Sequence, residues 1–170
     1  QQKWRYIPLA ETTDAQGRRR GSPAWLLLYN EGPPAGSILA CLGSNRLQGP
    51  SNRPWLQTAL QIAQRIRMGL FLRDAGAEHF AYWPGEAIQL GANITSCGAR
   101  PASAVVRIVV KNDGGSELFQ DSSSVTLEPR ASAKWQTSLE LSDVQAARTL
   151  LVTTELVADG RVIDCIEHEI

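Results

Sequence analysis

The chain has 170 residues, 43% of them hydrophobic, and its seventeen basic residues are balanced by seventeen acidic ones. That length holds one large domain or two small ones with an ordinary buried core, and the balanced charge excludes an overall field for holding a nucleic acid or an anionic membrane. No window approaches the roughly 18 to 20 consecutive apolar residues of a membrane-crossing helix, and the N-terminus lacks the charged-then-apolar layout of a signal peptide.

The segment from Gln1 to Leu9 carries Trp4, Tyr6, Ile7 and Leu9 and reads as an edge strand, followed by a polar loop from Glu11 to Pro23. Within that loop, Arg18-Arg19-Arg20 reads as a solvated cluster rather than a phosphate contact. Ala24-Trp25-Leu26-Leu27-Leu28-Tyr29 is a continuous apolar run that fits a strand covered on both faces. A second run, Ser37 to Leu42, lies between Gly36 and Gly43, and the two can pair across the loop Asn30-Glu31-Gly32-Pro33-Pro34. After a polar loop from Ser44 to Arg53, Pro54 starts a helix, where its missing N–H costs nothing. Leu56, Leu60, Ala63, Ile66 and Leu70 recur at steps of three and four, an amphipathic helix of about four to five turns. Asp74-Ala75-Gly76-Ala77 reads as a linker.

From Glu78 onward the pattern changes to strands separated by turns. Pro84-Gly85 marks a turn, and Ile88, Leu90, Ala92 and Ile94 then alternate with Gln89, Asn93 and Thr95, the period of a half-buried strand. Ala104, Val106, Ile108 and Val110 repeat the pattern, and Asn112-Asp113-Gly114-Gly115 is a hairpin turn. Glu117 to Gln120 and Ser124 to Leu127 read as two short strands broken by Asp121-Ser122-Ser123. Trp135, Thr137, Leu139 and Leu141 alternate with polar residues. Leu150, Val152, Thr154 and Leu156 form a further strand, which Ala158-Asp159-Gly160 turns into the last, Arg161 to Ile170. Asp143 to Arg148 reads as a helical turn or a corner between sheets. About seven short strands predict an immunoglobulin-like sandwich. The expected fold is therefore α+β, mainly β: a small strand-strand-helix layer over residues 1–77, with its helix at 54–72, and an immunoglobulin-like antiparallel β-sandwich over 78–170.

Two stretches resemble known families. "FAYWPGEAIQLGANITSCG" and its continuation toward the C-terminus resemble the immunoglobulin-like modules of bacterial extracytoplasmic proteins, many of which act on carbohydrates. "SPAWLLLYNEGPPAGSILACLGSN" followed by "PWLQTALQIAQRI" resembles the closing strands and last helix of a glutamine-amidotransferase-like α/β domain. The resemblance implies a secreted or periplasmic setting and, as partners, other domains of a larger glycosidase-type polypeptide. It departs from the amidotransferase pattern at the nucleophile. The Gly-x-Cys-x-Gly elbow of that family becomes Leu39-Ala40-Cys41-Leu42-Gly43, without the first glycine, and no histidine precedes His79.

Cys41 is the sharpest catalytic candidate, because a thiol nucleophile needs a strand-to-helix turn and a neighbouring base. The base would have to be His79 or His168, so a core cysteine is the favoured reading and a thiol-dependent amidase the alternative. In Glu167-His168-Glu169 a strand turns the histidine away from both glutamates, which argues for a solvated edge and against a metal site. Asp113, Asp159 and Asp164 fall at turns or a strand end, where backbone hydrogen bonding accounts for them. Cys97 and Cys165 could form a disulfide, though three separate buried thiols are preferred. Asn93-Ile94-Thr95 matches a glycosylation sequon but falls inside a predicted strand. Tyr82, Trp83 and Trp135 are the candidate ligand-binding residues, since sugars stack on exposed aromatic faces, and packing between the two halves is the competing reading. No cofactor and no metal is called for. The expectation is a non-catalytic accessory module, structural or recognitional, with carbohydrate as its candidate ligand.

Overall fold

A computed structural model describes residues 3–43, 53–140 and 149–170. These form two compact units that divide between Gly69 and Leu70. The predicted corner at Asp143 to Arg148 and most of the loop from Ser44 to Arg53 lie outside the described residues.

In the first unit, β1 (Trp4–Thr13), β2 (Arg19–Tyr29) and β3 (Ile38–Leu42) form an antiparallel sheet in that order, and α1 (Arg53–Met68) packs against β3. The predicted loop from Glu11 to Pro23 is mostly strand, because Asp14 closes a tight hairpin. Asp14 Oδ1 accepts the backbone N–H groups of Gln16 (3.0 Å) and Arg18 (2.9 Å), and Oδ2 accepts Nε of Arg18 (2.9 Å) and of Arg20 (3.0 Å). Arg19 pairs with Glu11 at 2.7 Å. Each arginine of the basic cluster thus has a carboxylate partner within its own hairpin.

The expectation that β2 is covered on both faces holds for one of them. Ala24, Leu26 and Leu28 are fully buried, whereas Trp25, Leu27 and Tyr29 on the opposite face are only half-buried. Cross-strand pairing sets Tyr29 beside Trp4, Leu27 beside Tyr6 and Trp25 beside Pro8, so that face carries exposed Trp4, Tyr6 and Pro8 as well. The Tyr6 and Trp25 rings lie 5.7 Å apart. The helix also differs from expectation. Its shielded side carries Ile62, with Trp55, Ala59 and Ile66 half-buried, and the expected core residues Leu56 and Leu60 are exposed. Both stripes have helical spacing, so the sequence alone does not decide which one turns inward.

The helix stops at Met68, where the Gly69 N–H closes the last turn on the Arg65 carbonyl at 3.2 Å. The predicted end of the helix and the linker to Ala77 are instead one strand, β4 (Leu70–Ala77), which pairs with β5 (Ala87–Ser96). The expected boundary at residue 77 therefore falls at the far end of a strand that belongs to the second unit.

That unit is a seven-stranded β-sandwich among the described residues. Besides β4 and β5 it contains β6 (Ala102–Asn112), β7 (Glu117–Leu127), β8 (Ser132–Glu140), β9 (Leu150–Ala158) and β10 (Arg161–Glu169). One sheet has the order β4-β5-β8 and the other β10-β9-β6-β7, with antiparallel pairing throughout. β7 runs unbroken through Asp121-Ser122-Ser123, because pairing with β6 over its whole length outweighs their weak strand preference.

Alternation supplies two core clusters between the sheets. Leu70, Leu72, Ala92 and Ile94 meet Ala104, Val106, Leu127 and Leu156 in one, and Ile88, Leu90 and Leu139 meet Ile108, Val110, Leu150 and Val152 in the other. On the outer face of the four-stranded sheet, Arg107 Nε donates to Glu155 Oε2 at 2.9 Å across a directly paired position. A polar staple also joins the two sheets. Bulges in β4 and β10 bring the buried Asp164 carboxylate to the Leu72 N–H, which donates to Oδ2 at 2.9 Å.

Candidate recognition surface

The segment from Glu78 to Glu86 joins β4 to β5. Its turn arises from Trp83-Pro84-Gly85-Glu86: proline presets the first central position, and Gly85 takes the left-handed second one (φ 82°). The Glu86 N–H donates to the Trp83 carbonyl at 3.0 Å, and the Trp83 N–H donates to Glu86 Oε2, also at 3.0 Å. Trp83 and Glu86 are therefore locked to each other through backbone and side chain.

Tyr82 holds the other half of the segment. Its ring packs against the second core cluster, and its hydroxyl accepts the His79 N–H at 3.0 Å and lies 3.4 Å from the Gln89 carbonyl. The Glu78 N–H donates to the same carbonyl at 2.9 Å. With Tyr82 turned inward, its neighbours point outward. Phe80 is 85% exposed and Trp83 is 83% exposed, far above what large aromatic side chains ordinarily leave in water.

The three predicted ligand residues thus have three different positions. Trp83 is on the surface. Tyr82 is a partly buried anchor. Trp135 lies on β8 opposite Ala92, half-buried, and packs against both core clusters. The parity of β8 carries this signal: Trp135 falls in the same alternating set as Leu139, whose side chain is in the core.

Cys41 lies within β3, directly across from Trp25, and is half-buried. Both histidines belong to the other unit. None of the three cysteines forms a disulfide, and Cys165 is exposed rather than buried because β10 turns it away from the core. The sequon lies in β5, the central strand of its sheet, with Thr95 buried. Among the described residues, no group of three or more His, Cys, Asp or Glu side chains is placed to hold a metal ion, and no helix is long and apolar enough to cross a membrane.

One contributor is not legible in the sequence. His168 of β10 is half-buried with its ring against Gly76 of β4, and the Phe80 ring lies 6.3 Å from it, centroid to centroid.

No protein-family model matches the chain, and no curated protein matches it. Among solved structures, a Bacteroides fragilis protein described as a β-galactosidase aligns with a TM-score of 0.48 at 17% identity, over 62% of this chain and 16% of that one. A β-glucuronidase of glycoside hydrolase family 2 gives 0.46 at 14% identity, over 61% and 11%. A family 2 glycosyl hydrolase from Bacteroides cellulosilyticus gives 0.45 at 13% identity, over 61% and 14%. The chain therefore spans a small part of each of these proteins, and likeness at this level says nothing of what it binds or does.

Proposed function

We propose that this chain is a non-catalytic accessory module of a larger bacterial extracytoplasmic polypeptide, with an immunoglobulin-like sandwich that recognises carbohydrate through the turn bearing Phe80 and Trp83. The observation that carries the reading is the near-complete exposure of both aromatic side chains on a segment whose backbone is fixed at Tyr82 and Glu86. Two bare rings on a loose loop would collapse onto the sheet, whereas here the cost of ordering them is met before any ligand arrives. An aromatic face offers the C–H side of a sugar ring an apolar platform, and the balanced charge of the chain suits a neutral ligand better than a polyanion. Strand order supports the immunoglobulin-like assignment: three strands, β4-β5-β8, face four, β10-β9-β6-β7. The bacterial, extracytoplasmic setting rests on the sequence resemblance.

The test is a glycan array probed with the wild-type chain and with Phe80→Ala and Trp83→Ala. Weak binding to a defined glycan class, lost in both variants at unchanged melting temperature, is the expected result. If the wild type binds no glycan, or both variants bind as well as the wild type, the carbohydrate reading fails.

A further inference from the structure

Gly76 has a positive φ of 121°, and a Cβ placed there would stand 2.6 Å from His168 Nε2 and 2.8 Å from its Cδ2. No side chain fits in that space while the imidazole occupies it. The ring is seated directly on the β4 backbone, three residues before the aromatic segment begins to turn at His79.

This seat is one of the points at which β10 meets β4. Another is the Asp164 carboxylate on the Leu72 N–H. Gly76 follows Leu72 by as many residues as His168 follows Asp164, so the two strands run alongside each other in the same direction although they belong to different sheets. The C-terminal end of β10 thus lies beside the start of the aromatic turn. There the His168 ring faces Phe80 at a centroid distance of 6.3 Å and an interplanar angle of 32°, within the range over which aromatic rings attract. Hydrogen bonds from His79 to the Tyr82 hydroxyl and from Trp83 to Glu86 hold the segment before and after Phe80 by its backbone, and the His168 ring faces that of Phe80.

We propose that His168, seated on Gly76, is a positioning residue for the Phe80–Trp83 surface. It holds the Phe80 ring in a narrow range of orientations, so that Phe80 and Trp83 meet a ligand as a preformed pair. The proposal rests on the recognition reading above for its ligand, but its structural half can be measured without one.

Three variants separate the possibilities. His168→Ala removes the ring. Gly76→Ala keeps the histidine but fills its seat, and His168→Phe keeps a ring of similar size on the same strand. The first readout is ligand-free: side-chain order of Phe80 and backbone order of residues 79–83 by NMR relaxation, with the β6 and β9 amides as internal controls. Order should fall in His168→Ala and Gly76→Ala, stay near wild type in His168→Phe, and leave the control strands unchanged. The second readout is affinity for whichever oligosaccharide the wild-type chain selects on the array. It should drop about three- to tenfold in the two disrupting variants, the effect of freeing one or two rotamers at a contact, and recover in His168→Phe.

Unchanged Phe80 order in both disrupting variants overturns the positioning role, whatever is bound. Lost order together with unchanged affinity overturns its relevance to recognition. If the wild type binds no oligosaccharide, the recognition reading fails, and the relaxation data still decide the role of His168.

Discussion

Replacing Asp164 with alanine isolates the staple that joins the two sheets of the sandwich. Its carboxylate is buried and accepts two backbone N–H groups, that of Leu72 on β4 at 2.9 Å and that of Cys165 at 3.0 Å. Leu72 is itself fully buried, so removing the acceptor leaves its N–H without this partner in a place water does not reach. Losing a buried acceptor in this way costs about 1–3 kcal/mol, and losing the Cys165 bond adds about 1 kcal/mol. The expected loss is about 2–4 kcal/mol. For a unit of this size each kcal/mol moves the midpoint by about 4–8 °C, so Asp164→Ala should lower the sandwich transition by about 8–30 °C. Asp164→Asn retains one carbonyl oxygen for Leu72 but gives up the charge, and should fall about midway. Differential scanning calorimetry measures both shifts, and hydrogen exchange at the Leu72 amide localises the damage, because that amide should open before those of β6. An Asp164→Ala midpoint within about 3 °C of wild type, or an unaltered Leu72 exchange rate, would refute the idea that this carboxylate binds β10 to β4.

Trp135→Ala should cost about 2–3 kcal/mol by removing packing from both core clusters, less than a fully enclosed tryptophan because the ring is half-buried, with Trp135→Phe costing less. Chemical denaturation followed by circular dichroism distinguishes this from a surface residue, whose loss would leave the midpoint within experimental error. Hydrogen bonding also makes Asp14 sensitive to acid. Desolvation raises its pKa, but the bonds from Arg18, Gln16 and Arg20 together outweigh it and hold the carboxyl below its ordinary value of 3.8. Because the folded value is the lower one, the hairpin contribution is fully present above 3.8 and disappears as pH falls through the folded midpoint. The amide resonances of Gln16 and Arg18 should therefore titrate with a midpoint below 3.8. Among the thiols, Cys165 should react with iodoacetamide well before Cys41 and Cys97, which mass spectrometry of the native chain can rank. Fast, selective labelling of Cys41 would instead favour the thiol-enzyme alternative.

The sandwich is largely legible because its strands are buried on one face only. In β5 and β6 the apolar parity marks the inner side without help from the rest of the chain, and Asn112-Asp113-Gly114-Gly115 marks the turn after them. Where two structures share a pattern, the sequence misleads. Leu70 continues the helical spacing of Leu60, Ala63 and Ile66 just as well as it begins a strand, and only pairing with β5 decides between them. The inward stripe of α1 is ambiguous for the same reason: two apolar stripes at equal spacing compete, and long-range packing selects one. At the candidate site, the aromatic residues are visible in the sequence but their orientation is not. Trp83 lies in a turn, where parity has no meaning, and the role of His168 depends on a glycine ninety-two positions earlier in the chain. A glycine at positive φ with a ring against it has no local signature.

The contrast between Trp83 and Trp135 gives the sandwich two built-in optical reporters. An indole in water emits at longer wavelength and is readily reached by iodide or acrylamide, whereas one enclosed by hydrocarbon emits further to the blue and is protected from both. Of the five tryptophans, Trp83 and Trp135 are the two in the second unit, so in a chain with Trp4, Trp25 and Trp55 replaced by phenylalanine, quenching by a dissolved anion follows the aromatic turn while the blue-shifted remainder follows the integrity of the core. A sugar laid over the turn would shield the first and leave the second untouched, and unfolding would merge them.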